Sequence, residues 1–225
     1  MSLPLMRLLQ LASPALPVGA YTYSQGLEWA VEQGTVRDAA SARDWIGDLL
    51  HRAVARFEAP WLAQLLAAWN REDRAALAAL DADFLASRET AELRAETLQM
   101  GHSLRRLLLE LPGFPAERAQ MLRGFAEPSY PLAWSCAASA WDIPAQDALG
   151  GYLWSWAENQ VMAALKSVPL GQSAGQWMLA ALAEKIPALA HSALHMTPEA
   201  ASNFAPGFAI ASARHETQYT RLFRS

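Results

Sequence analysis

Apolar residues along this chain recur at three- and four-residue intervals, and few segments alternate with period two, which predicts helices with one buried face and no sheet. The first such face is Leu8, Leu9, Leu11 and Ala12, stopped by Ser13, Pro14, Pro17 and Gly19. Ser41 with Asp44 offers a capping box for a helix whose stripe is Trp45, Leu49, Ala53 and Phe57. Pro60 suits the first turn of the next helix, with Trp61, Leu62, Leu65, Leu66 and Trp69 facing inward. Glu72 and Asp73 open another, carrying Leu77, Leu80, Phe84 and Leu85. A break near Ser87 leads to a long helix from Thr90 to Leu111, closed by Pro112-Gly113. A short helix over Pro115–Arg123 precedes the small-residue segment PLAWSCAASAW, and Ile143-Pro144 separates that from a helix over Ala145–Lys166. Gly150 and Gly151 inside it cost ~1 kcal/mol each in helix propensity, so a close helix approach or a local break is expected there. Ser173 with Gln176 starts a final long helix, and Pro187 kinks or ends it near Lys185.

The densest punctuation falls between the first helix and Gly34. Thr22 and Gln25 have capping-box spacing, so a helix is expected from Thr22 through Leu27, Glu28, Trp29 and Val31, ended by Gly34. Tyr21, Tyr23, Ser24 and Glu28 then surround a proline-stiffened bend. After His195 the large apolar residues give way to Ala, Ser and Gly, and the last stretch, SARHETQYTRLFRS, is polar and net basic. The expected architecture is all-α, a single-domain bundle of about ten helices over residues 1–196, with a flexible partner-binding tail over 197–225.

A chain of 225 residues buries about 70% of its unfolded surface and needs neither disulfides nor a structural metal. The net charge of −4, with no Lys/Arg cluster, argues against nucleic acid as a partner. Cys136 is the single cysteine, which suits a reducing compartment, and with no secretory leader in MSLPLMRLLQLASP the expected location is cytoplasmic. The charge-poor stretch Ser167–Ala183 holds Pro, Gly, Gln and Ser, so no membrane span is expected.

Candidate chemistry is sparse. Neither G-x-x-x-x-G-K-[ST] nor G-x-G-x-x-G occurs, so no nucleotide hydrolysis is expected of this chain. His191 and His195, four apart on a helix, share a face, but two nitrogens make only a weak surface metal site; no resident metal or tightly bound cofactor is expected. His51 and His102 read as packed bundle residues, and Cys136 between Trp134 and Trp141 as a small buried filler. Glu28, Glu96 and Glu158 are carboxylates that spacing alone does not pair.

Three separated segments carry a resemblance. LPVGAYTYSQGLE, ALKSVPLGQ around Lys166, and the terminal HETQYTRLFRS resemble, in order, the signatures L-P-[IV]-G-[AGS]-[YF]-x-[YWH]-S-x-G-L-E, K-x-[VI]-P-[LF]-G-Q and H-E-x-[QM]-x-x-[RK]-[LM]-[FY] of the UreF family of urease accessory proteins. The resemblance implies an all-helical, non-enzymatic, usually dimeric protein that joins a UreD/UreH-like protein and the GTPase UreG, coupling GTP hydrolysis to nickel delivery into apo-urease. Nickel would then touch this chain at most transiently. By the same resemblance Tyr23, Ser24, Glu28 and Lys166 face the GTPase. His215, Glu216, Tyr219, Arg221, Leu222 and Arg224 form the tail contact, Arg221 bonds Tyr23, and the tail orders on binding the UreD-like partner. Two other readings stand beside it: an all-helical small-molecule or haem-pathway enzyme with a central cavity, and a helical scaffold with no metal link.

Overall fold

The computed structural model describes residues 2–225 and contains twelve α-helices and, among the described residues, no strand. The helices are α1 (Leu3–Leu11), α2 (Leu27–Glu32), α3 (Ala39–Leu49), α4 (Ala59–Asn70), α5 (Arg74–Ala86), α6 (Ala91–Glu110), α7 (Ala116–Arg123), α8 (Tyr130–Ala140), α9 (Ala145–Ser167), α10 (Gln172–Ala183), α11 (Ile186–Leu194) and α12 (Pro206–His215).

Small residues decide what lies at the centre. Ten consecutive residues of α8, from Tyr130 to Ser139, are buried, and alanines and serines let α4 and α6 close on it from either side. Gly101 of α6 lies at that contact: a Cβ there would sit 2.0 Å from the Pro128 carbonyl oxygen. The long helix α9 runs beside this core and takes α10, α11 and α2 on its flanks. At Gly151 a Cβ would meet Leu8 of α1 at 2.5 Å, which is the close approach expected of the glycine pair; Gly150 faces open space.

Caps set most boundaries. Thr90 accepts from Leu93 N, Asp73 from Ala76 N and Ser129 from Leu132 N. The expected Ser41–Asp44 box is displaced by one turn. Asp38 is the cap, and Ser41 is its reciprocal partner, because Asp38 has the extended backbone an N-cap requires. No side chain caps α10, so Ser173 and Gln176 do not act as a pair there. Pro187 does end one helix and start the next, lying in the first turn of α11.

Pro60 lies in the first turn of α4, as expected, but no loop precedes it. Residues Leu50–Glu58 form a π-helical stretch that joins α3 to α4 without a break. Wider turns let the chain pass a residue with no N–H, and the Arg56 carbonyl is free to accept from Ser202 N at 2.9 Å. A segment beyond residue 196 is thereby fixed to the body. His51 and His102 are both exposed, so the bundle does not enclose either ring. Cys136 is fully buried as a filler, and burial pushes its thiol up to about 12. Among the described residues no helix is long and apolar enough to cross a membrane.

Candidate functional site

The bend between α1 and α2 is built on two left-handed glycines. Gly19, with φ +80°, leads into a single 3-10 turn over Ala20–Thr22, and Gly26, with φ +79°, is the N-cap of α2. The expected capping box does not form. The Thr22 hydroxyl donates to the Gly19 carbonyl at 2.8 Å, and Gln25, itself at φ +51°, turns its amide toward α6 and α9. Residues 13–26 are therefore a bend with no α-helix of their own, and α2 starts at Leu27.

The donors that the missing cap leaves free are satisfied from the far end of the chain. Ser24 N and Gln25 N donate to the Ser225 carbonyl oxygen at 2.7 and 3.0 Å, and the Ser24 hydroxyl donates to it at 2.6 Å. Arg224 N donates to the Thr22 carbonyl at 2.8 Å. Leu222 N and Phe223 N both donate to the Glu28 carboxylate, at 2.7 and 3.1 Å. Glu28 lies in the first turn of α2, where the helix dipole favours negative charge.

Behind this seam lies a buried imidazole. His215, fully buried at the end of α12, places Nδ1 2.7 Å from Glu92 and Nε2 3.2 Å from Glu28. Carboxylates only accept, so both contacts together need a proton on each ring nitrogen or on one carboxyl group. Arg221 pairs with the other oxygen of Glu92, and Glu216 accepts from Glu92 N. Farther in, buried Glu96 accepts from Ser225 Oγ and from Gln25 Nε2, both at 2.8 Å, while Trp156 donates to Gln25 Oε1. Burial raises the Glu96 carboxyl to about 7.

Of the residues expected to face a partner, Tyr23, Ser24 and Glu28 are 4%, 0% and 7% exposed, and all lie inside the seam. The expected bond from Arg221 to Tyr23 does not form. Arg221 is held at Glu92, and Arg224 is the cation whose field reaches the Tyr23 hydroxyl, which burial and then Glu96 push upward. Lys166 is exposed. Its Nζ lies 5.7 Å from the ring centres of both Tyr21 and Phe223, within cation–π range. Tyr21, Tyr219 and Leu222 are large side chains on the outside, as are Glu216 and Arg224.

Beneath the bend is a cavity of about 170 Å³. Apolar walls from Leu11, Val18 and Met100 meet a polar floor in which Glu58 binds Arg88 at 2.8 Å and accepts from the Tyr152 hydroxyl at 2.7 Å. Lys166 and Tyr21 are at its edge. Sequence reasoning missed this floor. Its one signal was Glu96 on the inward stripe of α6, between Leu93 and Met100. His191 and His195 are both exposed, their ring centres 4.5 Å apart, and His195 Nδ1 bonds the His191 carbonyl. Among the described residues no group of three His, Cys, Asp or Glu could hold a metal ion together; Glu28 and Glu92 meet opposite nitrogens of His215.

The helical body thus holds residues 221–225 in a polar seam, while Lys166, Tyr21 and Tyr219 stand outside. The sequence model of the UreF family matches residues 36–183. The chain is 64% identical to the urease accessory protein UreF of Azoarcus sp. (strain BH72) over 226 aligned positions, covering 99% of this chain and 96% of the relative. Identity to the urease accessory protein UreF of Dechloromonas aromatica (strain RCB) is 58%, covering 99% and 98%, and to that of Methylobacillus flagellatus 52%, covering 98% and 97%. The chain belongs to the UreF family of urease accessory proteins, which are not enzymes. The family model stops short of both the bend and the tail; the relatives extend over both.

Proposed function

We propose that this chain bridges a UreD/UreH-like protein and a UreG-like GTPase during urease maturation, and couples GTP hydrolysis to nickel delivery into apo-urease. The single observation that carries the reading is the seam itself. Bend, tail and Lys166 meet at one place, so one partner's hold on the tail reaches the surface offered to another. The GTPase docks on Lys166 and Tyr21; Tyr23, Ser24 and Glu28 act behind that surface by holding the tail. The UreD-like protein takes the tail, using Tyr219, Leu222 and Arg224, which stand outside, and reordering of the tail makes the contact conditional on that partner. The body works as a homodimer in the cytoplasm, and nickel is cargo.

The test is co-purification of the chain with both partners and apo-urease. Lys166→Ala is expected to keep the UreD-like protein and lose the GTPase at least tenfold. Equal GTPase recovery with Lys166→Ala contradicts the assignment.

A further inference from the structure

We propose that residues 221–225 form a strap whose closure on the bend is controlled by pH, with Glu96 as the group that titrates. Glu96 is the innermost point of the seam. One carboxyl oxygen receives Ser225 Oγ and the other receives Gln25 Nε2, so the strap end and the bend are joined through a single side chain. Glu96 is 6% exposed in the closed arrangement. The groups around it give little compensation for a negative charge. Arg88 faces it but is engaged by Glu58, which itself opposes a second charge; Tyr23 faces it from the bend. Lifting Ser225 away opens the Glu96 oxygens to water.

The closed strap therefore holds the Glu96 proton more tightly than the open strap does. Closed, the carboxyl is raised from 4.5 to about 7 by burial; open, solvation returns it toward the ordinary carboxyl range. A group raised in one state favours that state below the lower value and loses the advantage as pH climbs to the higher one. Closure is thus strongest in acid, weakens by up to about tenfold per pH unit toward 7, and is flat above that. Opening withdraws Phe223 from beside Lys166, so the surface at Lys166 changes with pH.

Other titratable groups border the strap: Glu28, His215, Glu92 and Arg221. The experiment separates them from Glu96. Amide-exchange protection of Leu222, Phe223 and Arg224 is measured in the isolated full chain at pH 5.5 and 7.5, corrected for intrinsic exchange, with core amides of α8 as a control for global unfolding. Protection of the three strap amides is expected to fall at least tenfold in the native chain and less than twofold in Glu96→Gln. An unchanged native strap, or a Glu96→Gln strap that still loosens tenfold, overturns the proposal. A direct readout covers the case in which Glu96→Gln fails to fold. The Glu96 carboxyl carbon resonance of the native chain is expected to titrate near pH 7, and a midpoint near 4.5 overturns the proposal. No partner is present in either measurement, so the outcome is independent of the bridging function proposed above.

Discussion

Glu28 accepts from two backbone amides of the strap and bonds one imidazole nitrogen, three hydrogen bonds across the seam from one side chain. Hydrogen bonds to charged acceptors are worth about 1.5–3 kcal/mol each. Glu28→Ala is therefore expected to undock the strap, removing exchange protection at Leu222 and Phe223 while leaving the helical circular-dichroism signal within a few per cent. Persisting protection would show that Ser24 and Glu96 suffice. Glu58→Ala is a harsher change. It leaves Arg88, whose side chain is 6% exposed, without its carboxylate. Stranding one partner of a buried pair costs about 3–5 kcal/mol, and urea unfolding should show a loss of unfolding free energy of that size. Cys136 should resist thiol reagents until the chain unfolds, since its thiol is buried and raised to about 12. Tyr23, Ser24 and Glu28 were singled out in the sequence by the bend and the resemblance, but the partners that bury them were not legible. Their partners lie some 200 positions away, beyond the reach of any periodicity. Glu58, Arg88 and Tyr152 were invisible for the same reason.

Among the elements, helix existence followed directly from apolar spacing, and most ends followed from caps or prolines. The exceptions share a cause. Asp38 displaced Ser41 as a cap, and Gln25 abandoned Thr22, because backbone conformation and long-range bonds outweighed local spacing. Pro60 does lie in the first turn of α4, but α3 runs into it through a π stretch, whose free Arg56 carbonyl is taken by Ser202. Two adjacent glycines in α9 give a matched test. Gly150→Ala meets nothing within 4 Å and should stabilise the chain by up to ~1 kcal/mol through helix propensity. Gly151→Ala pushes on Leu8 and should gain less or lose stability. Gly101→Ala meets backbone oxygen at 2.0 Å, which cannot yield as a flexible side chain can. It should destabilise by about 1–3 kcal/mol or more, read as a lower unfolding midpoint. Equal melting of all three variants would show that α6 and α8 do not approach as described.

For the whole molecule, composition and periodicity were enough to give an all-helical chain. They also suggested a boundary at residue 196, where large apolar residues give way to small ones. The structure places α12 against α2 and the final residue inside the seam, so the polar composition of the tail reflects hydrogen bonding to the body as much as contact with solvent. On the function proposed above, the protein acts by presenting a surface whose shape depends on residues 221–225. The most direct measurement is the nickel content of urease purified from cells lacking the native gene and complemented with this chain or its variants. The native chain is expected to give fully nickel-loaded urease. Lys166→Ala and a variant ending at Thr220 should leave nickel near the level of the empty deletion strain, with both proteins folded by circular dichroism. Fully loaded urease in the uncomplemented deletion strain, or from both variants, would contradict the account.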